Sequence, residues 1–345
     1  VGRLALSIAL LSLTACTNGS FTAVSNSAGN SQQSSETTPT NPSNPSTPTQ
    51  KKILFGVNAH DGRPYYPLTQ SEAVFKLLSE KNIRSYRVDI VPTQNPNQVL
   101  ETLIPLAKKY NIKLRPMIYP STKTVAYNFA KRYGKDIEIW ELGNEQDYSV
   151  TGAQDRANVL AEMHKGIAQA ASEDGFTLKT AINIMACNTD DVSATARCPK
   201  DAAGAGWFLQ MAKNSGFNFS YVTFHYYPFY SDKGYWMDMY LSQARQASEK
   251  YGVKVMLNET NCANIYQGDK SGGTPGDKAC YDSMDQLFTE ISTKYADVFE
   301  EINMYELFNE PDMDNGTGPE ANFGIMFDIN KPKKLFDLLA AWAAK

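Results

Sequence analysis

Three Asn-Glu pairs punctuate the chain: Asn144-Glu145 in WELGNEQD, Asn258-Glu259 in VMLNET and Asn309-Glu310 in FNEPD. Each follows a short apolar run. A carboxyl placed against buried residues is pushed towards its protonated form, whereas one that accepts hydrogen bonds stays ionised. Two such groups across one site, one donating a proton and one attacking, supply what cleavage of a glycosidic bond needs.

Other side chains could serve such a pair. FHYYP places His225 and Tyr227 on one side of an extended segment, because alternate residues share a face. Arg87, in SYRVDI, or Tyr227 could donate hydrogen bonds that keep a carboxylate ionised. Asn58 and His60, at the end of the first apolar run, are candidate substrate ligands, and Trp236 is a candidate sugar-stacking platform. Glu141 and Glu306 lie inside apolar runs and read as structural carboxylates. Glu141 shares the parity of Glu145 and is expected beneath the site, paired with a cation such as Arg87. The chain has only three histidines, at 60, 164 and 225. A His-rich metal site is therefore not expected, and no cofactor is implied.

Apolar runs at 53–58, 85–90, 112–118, 137–142, 178–184, 221–225, 253–257 and 302–308 read as strands. Amphipathic stretches at 71–82, 96–111, 156–175 and 237–252 read as helices between them, the last two ending at Gly175 and Gly252. Eight such units predict an α/β fold, a (β/α)8 TIM barrel over residues 52–345. In a barrel the strand ends that carry these residues meet on one face. A doubly wound sheet is the rival, but FGVNAHDGRP after the first strand has no Gly-rich phosphate loop.

The other segments describe the setting. Arg3 precedes an apolar run, Leu4 to Leu13, that is too short to span a bilayer. Leu13-Thr14-Ala15-Cys16 resembles the bacterial lipobox. It implies a signal peptide over residues 1–15, acylation of Cys16 and a protein anchored to the bacterial membrane, at the outer membrane, cell surface or periplasm. Residues 16–51 are dominated by Ser, Thr, Asn, Gln and Pro and read as a disordered tether. Four cysteines remain: Cys187, Cys198, Cys262 and Cys280. Nearest-neighbour pairing, Cys187 with Cys198 and Cys262 with Cys280, closes the shortest loops and suits an oxidising compartment. A net charge of −4 without a basic cluster gives no case for a nucleic-acid partner. A monomer is expected.

Taken together, WELGNEQD on the fourth strand and VMLNET on the seventh resemble the retaining glycosidases of clan A, the 4/7 superfamily of (β/α)8 enzymes. Within the clan the resemblance is closest to family 39-like endo-glycosidases. It covers essentially all of the chain beyond the tether. It implies that Glu145 is the acid/base, that Glu259 is the nucleophile and that Asn144 binds the sugar. It also implies that His225, Tyr227 and Arg87 belong to the site. Two departures stand out. Gln146 occupies the place of a Pro found in many relatives, and the strict Asn-Glu-Pro occurs instead at 309–311, which makes Glu310 a rival catalyst. Tyr305 and Phe308 stand where many relatives have a Trp. The expected function is a retaining glycoside hydrolase, endo-acting on an extracellular or cell-envelope polysaccharide. The alternative is a non-catalytic carbohydrate-binding surface lipoprotein on a glycosidase-like barrel. A metal-dependent hydrolase is a weaker third reading.

Overall fold

Strands buried on both faces favour parallel pairing under a layer of helices. In the computed structural model, eight parallel strands close into a barrel in the order β1-β2-β3-β4-β5-β6-β7-β8. The structure describes residues 52–185, 206–228, 235–262, 275–312 and 321–345. The strands are β1 (Leu54–Ala59), β2 (Ser85–Ile90), β3 (Lys113–Ile118), β4 (Trp140–Leu142), β5 (Thr180–Ile184), β6 (Tyr221–His225), β7 (Lys254–Thr260) and β8 (Phe299–Met304). A short hairpin, β9 (Met326–Asp328) with β10 (Lys331–Pro332), follows β8. The helices are α1 (Ser71–Glu80), α2 (Pro96–Tyr110), α3 (Lys123–Tyr133), α4 (Ala153–Asp174), α5 (Gly206–Asn214), α6 (Tyr235–Tyr251), α7 (Pro275–Lys294) and α8 (Lys334–Ala343).

The helix ends follow local chemistry. The α2 helix starts on a proline, whose missing N–H costs nothing there, and ends with Lys108 and Lys109 near its exposed carbonyls. Thr122 caps α3 by accepting from the Val125 N–H at 3.2 Å. The α4 helix stops at Gly175, whose φ of +70° is the left-handed conformation glycine adopts without steric cost.

Two strand boundaries differ from the sequence reading in ways that matter to the site. The β7 strand runs to Thr260, so Glu259 lies within the barrel wall rather than after it. The β8 strand ends at Met304, earlier than the apolar run to Phe308 suggests. Beyond it Tyr305 still donates its N–H to Thr260 at 3.0 Å and Leu307 to Asn58 at 2.9 Å. The run is apolar because Leu307 and Phe308 are buried, not because they extend the strand.

Most of the apolar core lies between the barrel and its helices. Inside the barrel an apolar plug is small, consisting of Ile139, Ala181 and Met256. Around it the interior is polar. Arg115 pairs with Glu301 at 3.0 Å, and Ser85 and Asn303 donate to Glu301 at 2.5 and 2.9 Å. Gly56 makes room for this group, since a Cβ there would stand 1.9 Å from the Asn303 Oδ1. Cys262 and Cys280 are disulfide-bonded with Cα atoms 5.5 Å apart, tying the segment after β7 to α7 as expected. Cys187, Cys198, Cys16, the expected signal peptide and the tether lie outside the described residues. No described helix is long and apolar enough to cross a membrane.

Candidate active site

Arg87 stands on β2, buried, with every nitrogen of its guanidinium engaged. Its Nη1 donates to Glu259 Oε1 at 2.6 Å and to Asn58 Oδ1 at 2.9 Å. Its Nη2 donates to Glu141 Oε1 at 2.7 Å and to Asn144 Oδ1 at 2.9 Å, while Nε faces Glu141 at 3.1 Å. One planar cation thus joins β1, β2, β4 and β7. A rigid fork of donors suits this better than a point charge on a flexible stem. The expected placement of Glu141 under the site, paired with Arg87, matches this geometry. Such a buried pair adds little net stability, so the network sets geometry rather than strength.

Glu259 receives a second donor, the Tyr227 hydroxyl, on Oε2 at 2.8 Å. An arginine thus holds one oxygen and a phenol the other, which fixes the orientation of this carboxyl group. Across from it is Glu145, on the loop after β4. Carboxylate oxygens of the two lie within 4.8 Å of each other, with His225 between them. An approach this close suits direct attack by one carboxyl, as in retaining enzymes, whose two carboxyl groups stand roughly 5–5.5 Å apart. The Glu145 side chain is 32% exposed and that of Glu259 10%.

The loop that carries Glu145 is held from several directions. Gly143 turns it with φ of +76°, and Glu145 itself adopts a left-handed φ of +48°, uncommon for a residue with a side chain. The Glu145 N–H donates to Asn183 Oδ1 on β5 at 2.6 Å. Asp147 accepts the Met185 N–H at 2.9 Å, and Arg156 on α4 donates to the Gln146 carbonyl at 2.7 Å. Gln146, in place of the expected Pro, donates its own amide to the Asn144 carbonyl at 2.5 Å.

His225 Nδ1 lies 2.9 Å from Glu145 Oε1 and 3.2 Å from Glu259 Oε2. Burial lowers its pKa to about 3, and Arg87 acts in the same direction against Glu259, so the ring is neutral. An aromatic wall completes this side. Phe323 packs against Tyr227 at 5.4 Å and Tyr305 at 5.7 Å between ring centres.

The other expected residues sit differently. Asn58 is buried beneath the mouth, donating to the Asn258 and Met304 carbonyls at 2.7 and 3.2 Å. It supports Arg87 from below. His60 belongs to a separate cluster between β1, β2 and the segment after β8. Its Nδ1 meets Asp89 at 2.9 Å and its Nε2 meets Glu306 at 3.3 Å. Tyr66 donates to that same Glu306 at 2.9 Å. Glu310 lies in this cluster too, 3.7 Å from Arg63. It is grouped with His60 and Glu306, whereas Glu145 and Glu259 are grouped with His225. Phe308 packs on Tyr66 at 5.4 Å. Trp236 opens α6, but its side chain lies outside the described residues.

Both Glu145–His225–Glu259 and His60–Glu306–Glu310 have the composition of a cation site, with donor atoms within 4.8 Å. His60 is an imidazolium: burial opposes its charge, but Asp89 and Glu306 outweigh burial and raise its pKa from 6.5 to about 10. A folded pKa above the unfolded one stabilises fully below the unfolded value, and the contribution is lost as pH rises through the folded value. The difference in unfolding free energy between the native protein and His60→Gln should therefore narrow from about pH 6.5 to about pH 10. Urea unfolding across that range checks it, and a constant difference would contradict the assignment.

Asn183 and Phe323 were not singled out from the sequence as site residues. The signal for Asn183 was an amide in the middle of an otherwise apolar strand, LKTAINI. Phe323 gave no local signal, since its position depends on the chain returning after β8.

The sequence matches the profile of glycosyl hydrolase family 53 over residues 107–306, more than half of the chain. The chain belongs to glycosyl hydrolase family 53. This family 53 chain is an O-glycosyl hydrolase, a retaining member of clan A, as its β4 and β7 motifs implied. The match does not support the expected nearness to family 39, because those motifs are shared across the clan and do not separate its families. No curated protein matches the sequence. Among solved structures, the AHE enzyme from Alicyclobacillus herbarius superposes with a TM-score of 0.61 at 12% identity, covering 85% of this chain and 96% of that one. A structure of two fungal β-1,4-galactanases gives 0.56 at 12% identity, covering 79% and 91%. The endo-β-1,4-mannanase from Thermotoga petrophila gives 0.52 at 14% identity, covering 86% and 77%. At these identities the family 53 chain shares their fold.

Proposed function

We propose that this family 53 enzyme cleaves internal β-1,4 linkages of a polysaccharide by double displacement, with Glu145 as acid/base and Glu259 as nucleophile. The observation that carries this is the pair of carboxylates within 4.8 Å across the barrel mouth. In the first step Glu259 attacks the anomeric carbon while Glu145 gives its proton to the leaving oxygen, and the glycosidic C–O bond breaks. In the second, Glu145 takes a proton from water, whose oxygen displaces Glu259 from the same carbon. Arg87 and Tyr227 hold the Glu259 oxygens for attack. Asn144, oriented by Arg87, faces the sugar, and Tyr227, Tyr305 and Phe323 offer rings on which a pyranose can stack.

β-1,4-Galactan is the first substrate to test, since the similarly folded fungal enzymes are β-1,4-galactanases. Incubation with β-1,4-galactan, mannan and xylan, followed by NMR of the nascent reducing end, should show oligosaccharides that keep the β configuration. Release of α anomers, or of monosaccharide alone, would rule this reading out.

We further propose a monomer held at the outside of a bacterial membrane through acylated Cys16, the segment 16–51 giving it reach. A polymer that cannot enter the cell suits an enzyme so placed. Incorporation of radiolabelled palmitate, abolished in Cys16→Ser, is the expected result; an unlabelled chain would refute the anchor.

A further inference from the structure

Asn183 lies on β5, fully buried, and no step of the proposed reaction uses it. Its two amide ends are distinguishable by their neighbours. Oδ1 is 2.6 Å from the Glu145 N–H, which can only donate, so this atom must be the oxygen. The other end is then the NH2, and it makes three approaches: Thr223 Oγ1 at 3.0 Å, the Thr223 carbonyl at 3.4 Å and His225 Nε2 at 2.7 Å. An NH2 group facing a ring nitrogen at that distance requires a lone pair there. Nε2 is therefore unprotonated. A neutral imidazole with a bare Nε2 carries its hydrogen on Nδ1, and Nδ1 is the atom that faces Glu145 and Glu259.

We propose that Asn183 is a positioning residue that fixes the Nδ1–H tautomer of His225, so that one N–H bridges the acid/base and the nucleophile while the same amide anchors the Glu145 backbone. The proposal rests on the reading of Glu145 and Glu259 given above. The groups facing His225 are Glu145 from the loop after β4, Glu259 from β7 and, through its charge, Arg87 from β2. Glu259 is an acceptor towards it in the resting enzyme, and Glu145 becomes one when it gives up its proton, so the opposite tautomer would set a lone pair against a carboxylate at each stage. A single donor shared between them fits a reaction in which negative charge moves. When Glu259 is consumed in the glycosyl-enzyme, the N–H is left to Glu145, which has just given up its proton. When the intermediate is hydrolysed, the bond to Glu259 is restored. The ring needs no flip and no proton exchange during the cycle.

Asn183→Asp keeps the shape and the acceptor for the Glu145 N–H, but presents His225 Nε2 with an acceptor instead of a donor. Nitrogen-15 NMR of the labelled enzyme reads the tautomer directly, since only three histidines occur and His60→Gln and His164→Gln assign the others. The expected wild-type signature is a protonated Nδ1 and a bare Nε2, with no titration between about pH 5 and 8. In Asn183→Asp, Nε2 should become protonated. Its kcat should fall about 10- to 100-fold, the scale of one lost charge-assisted hydrogen bond, with KM little changed. A wild-type ring protonated on Nε2 overturns the proposal even if the variant does not fold. An unchanged tautomer in Asn183→Asp, or an altered tautomer with full kcat, also overturns it. Wild-type turnover in both Glu145→Ala and Glu259→Gln is a different failure: it removes the catalytic reading and Asn183's role with it, whatever the spectrum shows.

Discussion

Glu259→Gln should lose turnover on every substrate, by on the order of 10⁵- to 10⁶-fold, the scale seen when a nucleophile is removed. The amide is the same size and still accepts a hydrogen bond from Arg87, but its oxygen carries too little charge to attack an anomeric carbon. The loss should appear equally on polymer and on an activated aryl glycoside, because no leaving group rescues a step that lacks its attacking atom. The fold should survive, as the glutamine oxygen still accepts from Arg87, 2.6 Å away, and the Tyr227 hydroxyl, 2.8 Å away, can turn to accept from the new NH2. A 2-fluoro sugar with a good leaving group should label Glu259 in the native enzyme, with the modified peptide found by mass spectrometry. Labelling at Glu310 instead would move the nucleophile to the cluster beside His60.

Glu145→Ala should behave in a different way, and the contrast separates the two roles. Loss of a proton donor costs roughly 10²- to 10⁴-fold. It should fall on polymer and on poor leaving groups, while an aryl glycoside whose leaving group needs no proton still forms the glycosyl-enzyme. That intermediate should then accumulate, since no base remains to activate water. Azide, a nucleophile that needs no such base, should restore turnover and give a β-glycosyl azide. An α product, or no rescue by azide together with unchanged activity on polymer, would remove Glu145 from this role.

Much of this site was legible because barrel chemistry concentrates at strand ends. The Asn-Glu pairs at 144–145 and 258–259 stand at the C-terminal ends of buried strands, and the parity of Glu141 and Glu145 was enough to place the first under the second. Arg87 was recognisable as a charge within an apolar run, which a protein retains only with partners. Other features depend on contacts distant in sequence. Asn58 and His60 both stand at the end of the first strand and look equivalent, yet one accepts from Arg87 and the other is turned towards Asp89 and Glu306. The same limit applies to Glu310. Its Asn-Glu-Pro motif is more regular than the one at Glu145, but β8 ends at Met304, and the five intervening residues carry it to a different part of the rim. A local pattern reports the type of environment a residue needs. It does not report which neighbour supplies that environment.

The small size of the apolar plug inside the barrel bears on how this enzyme would evolve under heat. Replacing a buried arginine and its carboxylates with well-packed aliphatic residues is often neutral or stabilising, and Arg87, Glu141, Arg115 and Glu301 are all such positions. Selection for thermal endurance alone would be drawn to the centre of the barrel. At Arg87 it would yield robust proteins that no longer cut sugar, so the tolerance of this fold to warming is set by its chemistry as much as by its packing.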